Sequence, residues 1–134
     1  MNITSEDIKD MLEANSSLGL TFSDNLYIGR QPSMPNNCVT IFDTPGSPPQ
    51  LTLAGDEEDG YYYPSVQIQI RDNSYKTGLE EALDIEKYLH GTHMEIWNDT
   101  TYVQIKCTGE PFLLDWDENE RARFVLNFDI HRKP

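Results

Sequence analysis

The residues best able to do chemistry in this chain are few, and their spacing works against the chemistry. His90 and His93 put two imidazoles three positions apart. A zinc ion needs three or four ligands and no convergent third is visible, so the pair reads as a helix end followed by exposed histidines. Asp115, Asp117 and Asn119 place oxygens at positions 1, 3 and 5 of a calcium-loop pattern. Glu120 stands where position 6 requires glycine and Leu126 where position 12 requires a bidentate acid, so a solvated turn is expected. Asp56, Glu57, Glu58 and Asp59 are four carboxylates in a row, and consecutive carboxylates cannot all face one ion. Cys38 and Cys107, 69 positions apart with no CxxC, read as reduced, largely buried thiols. There is no GxSxG, no phosphate-cradling glycine loop and no HExxH. Acids are so frequent that some pair will be close in any fold, so paired carboxylates carry no weight. The expectation is no catalytic residue, no metal and no cofactor.

Charge and aromatic residues narrow the classes further. The chain has 134 residues and a net charge of −13. Residues 1–120 hold 22 acidic side chains against six basic ones, whereas residues 121–134 hold four basic against one acidic. A body this acidic repels a phosphate backbone, so ordinary duplex binding is disfavoured. Such a body can still line a passage through which nucleic acid slides without sticking. Tyr61, Tyr62 and Tyr63 have the makings of a base-stacking platform. Yet four acids stand just before them and no basic residue lies within seven positions on either side. A strand start packing at an interface is the expected role. No apolar run approaches the ~18–20 residues of a membrane helix, and Glu6 and Asp7 argue against a signal peptide.

The elements that must position these groups are strands with a minority of helix. From Ser65 the chain alternates: Val66, Ile68 and Ile70 point one way, and Gln67, Gln69 and Arg71 the other. Ser74 can N-cap a following helix on which Leu79, Ala82, Leu83, Glu86 and Leu89 fall at helical spacing. Thr4 and Ser5 offer capping hydroxyls to a first helix with Ile8, Met11 and Leu12 as its apolar stripe. Strands are expected at 26–30, 38–43, 94–97 and 101–107, the last two forming a hairpin across Asn98–Thr100, with a short extended piece at 111–115. In the final strand Ala122, Phe124, Leu126, Phe128 and Ile130 face one side. Arg121, Arg123, Val125, Asn127, Asp129 and His131 face the other. Residues 44–60, with three prolines, three glycines and the acidic cluster, read as a loop of about 17 residues, in which 51–53 can pair briefly; loops that long are usually functional or disordered. The fold class expected is α+β: a single two-layer domain over residues 1–134, a mostly antiparallel sheet of about five to six strands packed by two helices, in the order αβββαβββ. The moderately polar strand faces suit either solvent or a neighbouring subunit.

The order of these features resembles a known family. An N-terminal helix leads to Leu26-Tyr27-Ile28-Gly29. A proline-bearing loop follows (Gln31-Pro32, Met34-Pro35), then a strand and a Pro/Gly-rich segment. Pro64-Ser65-Val66-Gln67-Ile68-Gln69-Ile70-Arg71 comes next, followed by a helix carrying Ala82-Leu83-Asp84-Ile85. This is similar to the minor capsid or tail terminator (tail completion) proteins of long-tailed bacteriophages, over most of the chain. The resemblance implies a structural virion subunit at the top of the tail, in the neck region, made in the bacterial host cytoplasm. It implies a homo-oligomeric ring, usually a hexamer, on the last ring of the tail tube. Such a ring stops tube growth and offers a surface to the neck. Its partners would be itself, the tail tube protein and a neck or head–tail connector protein, with DNA only in passage and no membrane. The family supplies no catalytic residues. On charge and patterning, Asp56, Glu57, Glu58 and Asp59 are the candidate lumen lining. Tyr61, Tyr62, Tyr63, Gln67, Gln69, Arg71, Arg121 and Arg123 are the candidate subunit interface. A head completion or stopper protein is the alternative within the neck, and a small enzyme or ligand-binding module the alternative outside it.

Overall fold

The computed structural model describes residues 1–50 and 60–134. In chain order its elements are α1 (Thr4–Ala14), a 3-10 turn (Ser16–Leu18), β1 (Leu26–Ile28), β2 (Cys38–Gln50), β3 (Tyr61–Asp72), α2 (Tyr75–Leu89), β4 (His93–Trp97), β5 (Thr100–Cys107), β6 (Phe112–Trp116) and β7 (Ala122–Lys133). The strands form one sheet in the order β1-β2-β3-β7-β5-β4, with β6 also paired to β7. Only β1–β2 is parallel among the strand pairs of the described residues. The α+β class is as expected. The strand beyond the expected five to six is β6, the segment read from sequence as a short extended piece. β7 organises the sheet, because β3 runs along one of its edges while β5 and β6 divide the other between them.

Alternation decides which face is dry. Val39, Ile41, Val66, Ile68, Ile70, Phe124, Leu126, Phe128 and Ile130 are all buried and share one core with Ile8, Met11 and Leu12 of α1 and Ala82, Ile85 and Leu89 of α2. Apolar burial of this kind is worth about 1.5–3 kcal/mol per large side chain, and it is the main force fixing both helices on this face. Two details correct the sequence reading. Leu83, placed on the apolar stripe, is exposed, and Ile85 takes the buried position instead. The buried set Gly78, Ala82, Ile85 and Leu89 keeps helical spacing with a different phase. Gly78 is needed in that phase. A Cβ there would stand 2.7 Å from the Phe124 ring and 3.0 Å from Asp72 Cβ, so only glycine lets the first turn lie this close to the sheet.

The helix starts are capped differently. Ser74 accepts from Thr77 N at 3.3 Å, as its sequence position suggests. In α1, Thr4 and Ser5 lie inside the helix and Ile3 makes no side-chain cap. The carboxylate of Asp43, from β2, accepts from Ser5 N (3.1 Å) and Ser5 Oγ (2.6 Å). A negative group at a helix N-terminus also suits the helix dipole. The β4–β5 turn falls where expected: Asn98 and Asp99 have φ of 50° and 61° and Trp97 pairs with Thr100.

The expected loop over residues 44–60 is corrected at its start. β2 continues as a strand through Pro45, Pro48 and Pro49 to Gln50, pairing with β3 at Ser47–Tyr63 and Gln50–Tyr61. Proline is tolerated here because β3 is the only neighbour β2 has along this stretch, among the described residues. Gly46 is tight against that neighbour: a Cβ would sit 2.1 Å from Tyr63 O.

Candidate functional site

The face of the sheet away from the helices is built of cross-strand rows. Cys38, Arg71 and Arg123 make the first row; Thr40, Gln69 and Val125 the second; Phe42, Gln67 and Asn127 the third; Thr44, Ser65, Asp129 and Lys106 the fourth. Gln104 and His131 pair in a fifth.

The first row, and Thr40 and Val125 of the second, are closed over, with the segment between β1 and β2 lying above the first row; Gln69 stays half-exposed. Arg71 donates from Nη2 to Pro35 O (2.6 Å) and from Nε to Asn36 O (3.3 Å). Arg121 donates to Ser33 O (2.5 Å) and to Asp117 Oδ2 (2.7 Å). Arg123 holds Asp115 through two hydrogen bonds, 2.6 and 2.5 Å, and reaches Gln31. This bidentate pair keeps the Asp115 carboxyl below the ordinary carboxylate range and raises Arg123. At Asp117, burial pushes the carboxyl up, but hydrogen bonds from the Arg121 and Asn119 amides and from the Arg121 guanidinium leave it lowered overall. Arg71, Arg121, Thr40 and Val125 are therefore buried within one copy. Of the residues proposed from sequence for a subunit interface, Arg71 and Arg121 have their donors turned inward, and Arg123 is half-buried in an ion pair.

The remaining rows stay open. Gln67 and Gln69 are half-buried and linked to each other (2.9 Å), and Gln67 donates to Asn127 Oδ1 (3.1 Å). Ser65 Oγ donates to Asp129 (2.8 Å). His131 lies between Tyr61 and Tyr63, with ring centroids 5.0 and 4.9 Å away. Tyr62, one position out of phase, stands opposite Arg132. Register shifts in β2, between Thr44 and Ser47, and in β5, between Tyr102 and Gln104, flank this level on both sides. Bulges bend and twist a sheet, and here they frame a concavity of about 240 Å³ lined by Ser47, Tyr63, Ser65, Lys106, Asp129 and His131, among others.

The sequence reading missed one surface. Five large apolar side chains on edge strands are about half exposed or more: Met94 and Ile96 on β4, and Phe112, Leu114 and Trp116 on β6. Met94 also has φ of +52°. The signal was present as the run Phe112–Trp116 beside acids, but it reads as an ordinary strand until its single pairing partner is known. Elsewhere the tested chemistry is structural. His90 Nδ1 accepts from Cys107 N (2.9 Å), Cys38 and Cys107 are free and buried, and burial pushes both thiols up. Among the described residues no three His, Cys, Asp or Glu side chains gather as metal ligands, and no helix is long and apolar enough to cross a membrane. Asp56, Glu57, Glu58 and Asp59, the candidate lumen lining, lie outside the described residues.

The sheet thus carries helices on one face, a half-open polar face on the other and exposed apolar side chains on its β4 and β6 edges. Residues 6–134 match the family model described as bacteriophage tail terminator protein. The chain belongs to the bacteriophage tail terminator family. This makes it a structural component of the phage virion. No curated protein sequence matches it. Among solved structures, a chain of the virion of a native gene transfer agent particle is similar in fold, with a TM-score of 0.66 and 13% identity over 98% of this chain and 95% of that one. At that identity the likeness concerns fold alone, and the tail terminator assignment rests on the family match.

Proposed function

We propose that this terminator closes into a ring, a hexamer, on the last ring of the tail tube, ends tube polymerisation there and presents a joining surface to the neck. The observation that carries this reading is the family match across residues 6–134. A heterologous ring needs two different surfaces per copy, and the open polar face and the apolar β4–β6 flank supply two. Tyr61, Tyr63, Gln67 and Gln69 belong to the first. Lys9, Arg71, Arg121, Arg123 and Arg132 are engaged inside the chain, which leaves few cations to grip phosphates, so DNA passes rather than binds. On charge alone, Asp56, Glu57, Glu58 and Asp59 are the proposed lumen lining, which an image of the assembled ring tests directly. The function itself is tested by polymerising the cognate tube protein with and without the chain. Tubes should stop growing and carry one cap at one end. Continued growth with the protein unbound would overturn the reading.

A further inference from the structure

We infer that copies meet head to tail, with the β6 flank of one seated in the Tyr63–His131 concavity of the next; this rests on the ring reading above. Three observations converge. The first is position. β6 pairs with the Ala122 end of β7, whereas the concavity lies at the His131 end, so the two surfaces are separate on a single copy. A contact between unlike surfaces propagates and closes into a ring when its rotation permits. The second is shape. Phe112, Leu114 and Trp116 project half-exposed from an edge strand. The concavity of about 240 Å³ is of the order of one large side chain, and its wall includes the Tyr63 ring. The third is charge. Glu110, Glu118 and Glu120 surround β6, all exposed. In a chain of net charge −13, two of the basic side chains not ion-paired within the described residues lie here: Lys106 lines the concavity, opposite an Asp129 that accepts from Ser65, and Lys133 lies over the Tyr61 ring, which packs on His131 at the concavity's edge. Apolar contact thus supplies the association, and the acidic rim meeting the two lysines fixes its direction.

The experiment uses two variants at exposed positions, Leu114→Asp on the flank and Lys106→Glu at the concavity. Circular dichroism confirms that both fold; Phe112→Ser and Lys133→Glu are the second pair should either fail. Association is measured by sedimentation wherever the wild type assembles, in solution or on tube ends. Each variant alone should self-associate at least tenfold more weakly. An equimolar mixture should form a 1:1 dimer and stop, because each partner retains one intact surface. If both variants assemble like the wild type, or the mixture stays monomeric, the pairing is wrong and the ring reading survives. If Leu114→Asp self-associates normally but no longer reaches tube ends, the flank belongs to the tube protein and the inference fails. If the wild type neither self-associates nor caps tubes, the ring reading itself falls.

Discussion

The Cys38 end and the Asp129 end of the sheet's polar face come from the same three strands, β2, β3 and β7, yet they reach opposite states. At the Cys38 end the Gln31–Asn37 segment folds over the rows, and Arg71, Arg121 and Arg123 hold it by hydrogen bonds to its carbonyls and side chains. At the Asp129 end the same alternation leaves Gln67, Ser65 and His131 half-buried beside an open concavity. Alternation therefore settles which way a side chain points, while a loop with matching acceptors settles whether it meets solvent. Guanidiniums on the closed end are engaged in internal hydrogen bonds, and the groups on the open end stay partly exposed.

The strongest challenge to this contrast is Arg121→Ala. It removes a buried cation, takes the guanidinium donor from Asp117 Oδ2 and leaves the Ser33 carbonyl without its side-chain donor, so stability should drop by about 2–4 kcal/mol in urea unfolding. Acid should loosen the same end. Asp115 and Asp117 have lowered folded values, so their contribution is complete above the unfolded carboxylate range and is lost as pH falls through the folded values. Gly46→Ala comes next. Its Cβ meets Tyr63 O at 2.1 Å, so about 1–3 kcal/mol should be lost. Hydrogen exchange should rise at the amides of Ser47, Gln50 and Tyr61–Tyr63 while the Arg121 end stays protected. A smaller effect separates the polar face from the helix side. Glu81 is pushed up to about 7 by burial first and then by Asp72 and Asp84. A raised carboxyl favours the folded state while protonated, so that stability is present below the unfolded value of ~4.5 and lost as pH rises through about 7. Glu81→Gln should leave stability at pH 5 unchanged and raise it by about 1–2 kcal/mol at pH 8. The smallest effect belongs to the open end, where Gln67→Ala should shift stability by no more than about 0.5 kcal/mol. A loss comparable to that of Arg121→Ala would erase the distinction between the two ends.

Much of the fold was legible because burial on one face imposes a period of two. Ala122, Phe124, Leu126, Phe128 and Ile130 are buried as their spacing requires. The hairpin across Asn98 and Asp99 and the Ser74 cap were legible for equally local reasons. Four features were not. The continuation of β2 through three prolines goes with a single neighbour there among the described residues, which no local pattern reports. The Asp43 cap on α1 joins residues 38 positions apart. Arg71 alternates with apolar residues like any outward side chain, and only the Pro35 and Asn36 carbonyls above it turn it into an internal staple. The apolar β6 edge was hidden in the same way, because exposure belongs to the assembled sheet rather than to the pentapeptide.

Pro45, Pro48 and Pro49 leave the outer margin of the β2–β3 arm short of amide donors. Prolines on an edge disfavour pairing with a further strand, so this margin is a poor template for open-ended fibril growth. Where a virion part is concerned, such a rim keeps association to the surfaces that side chains define, not to open backbone.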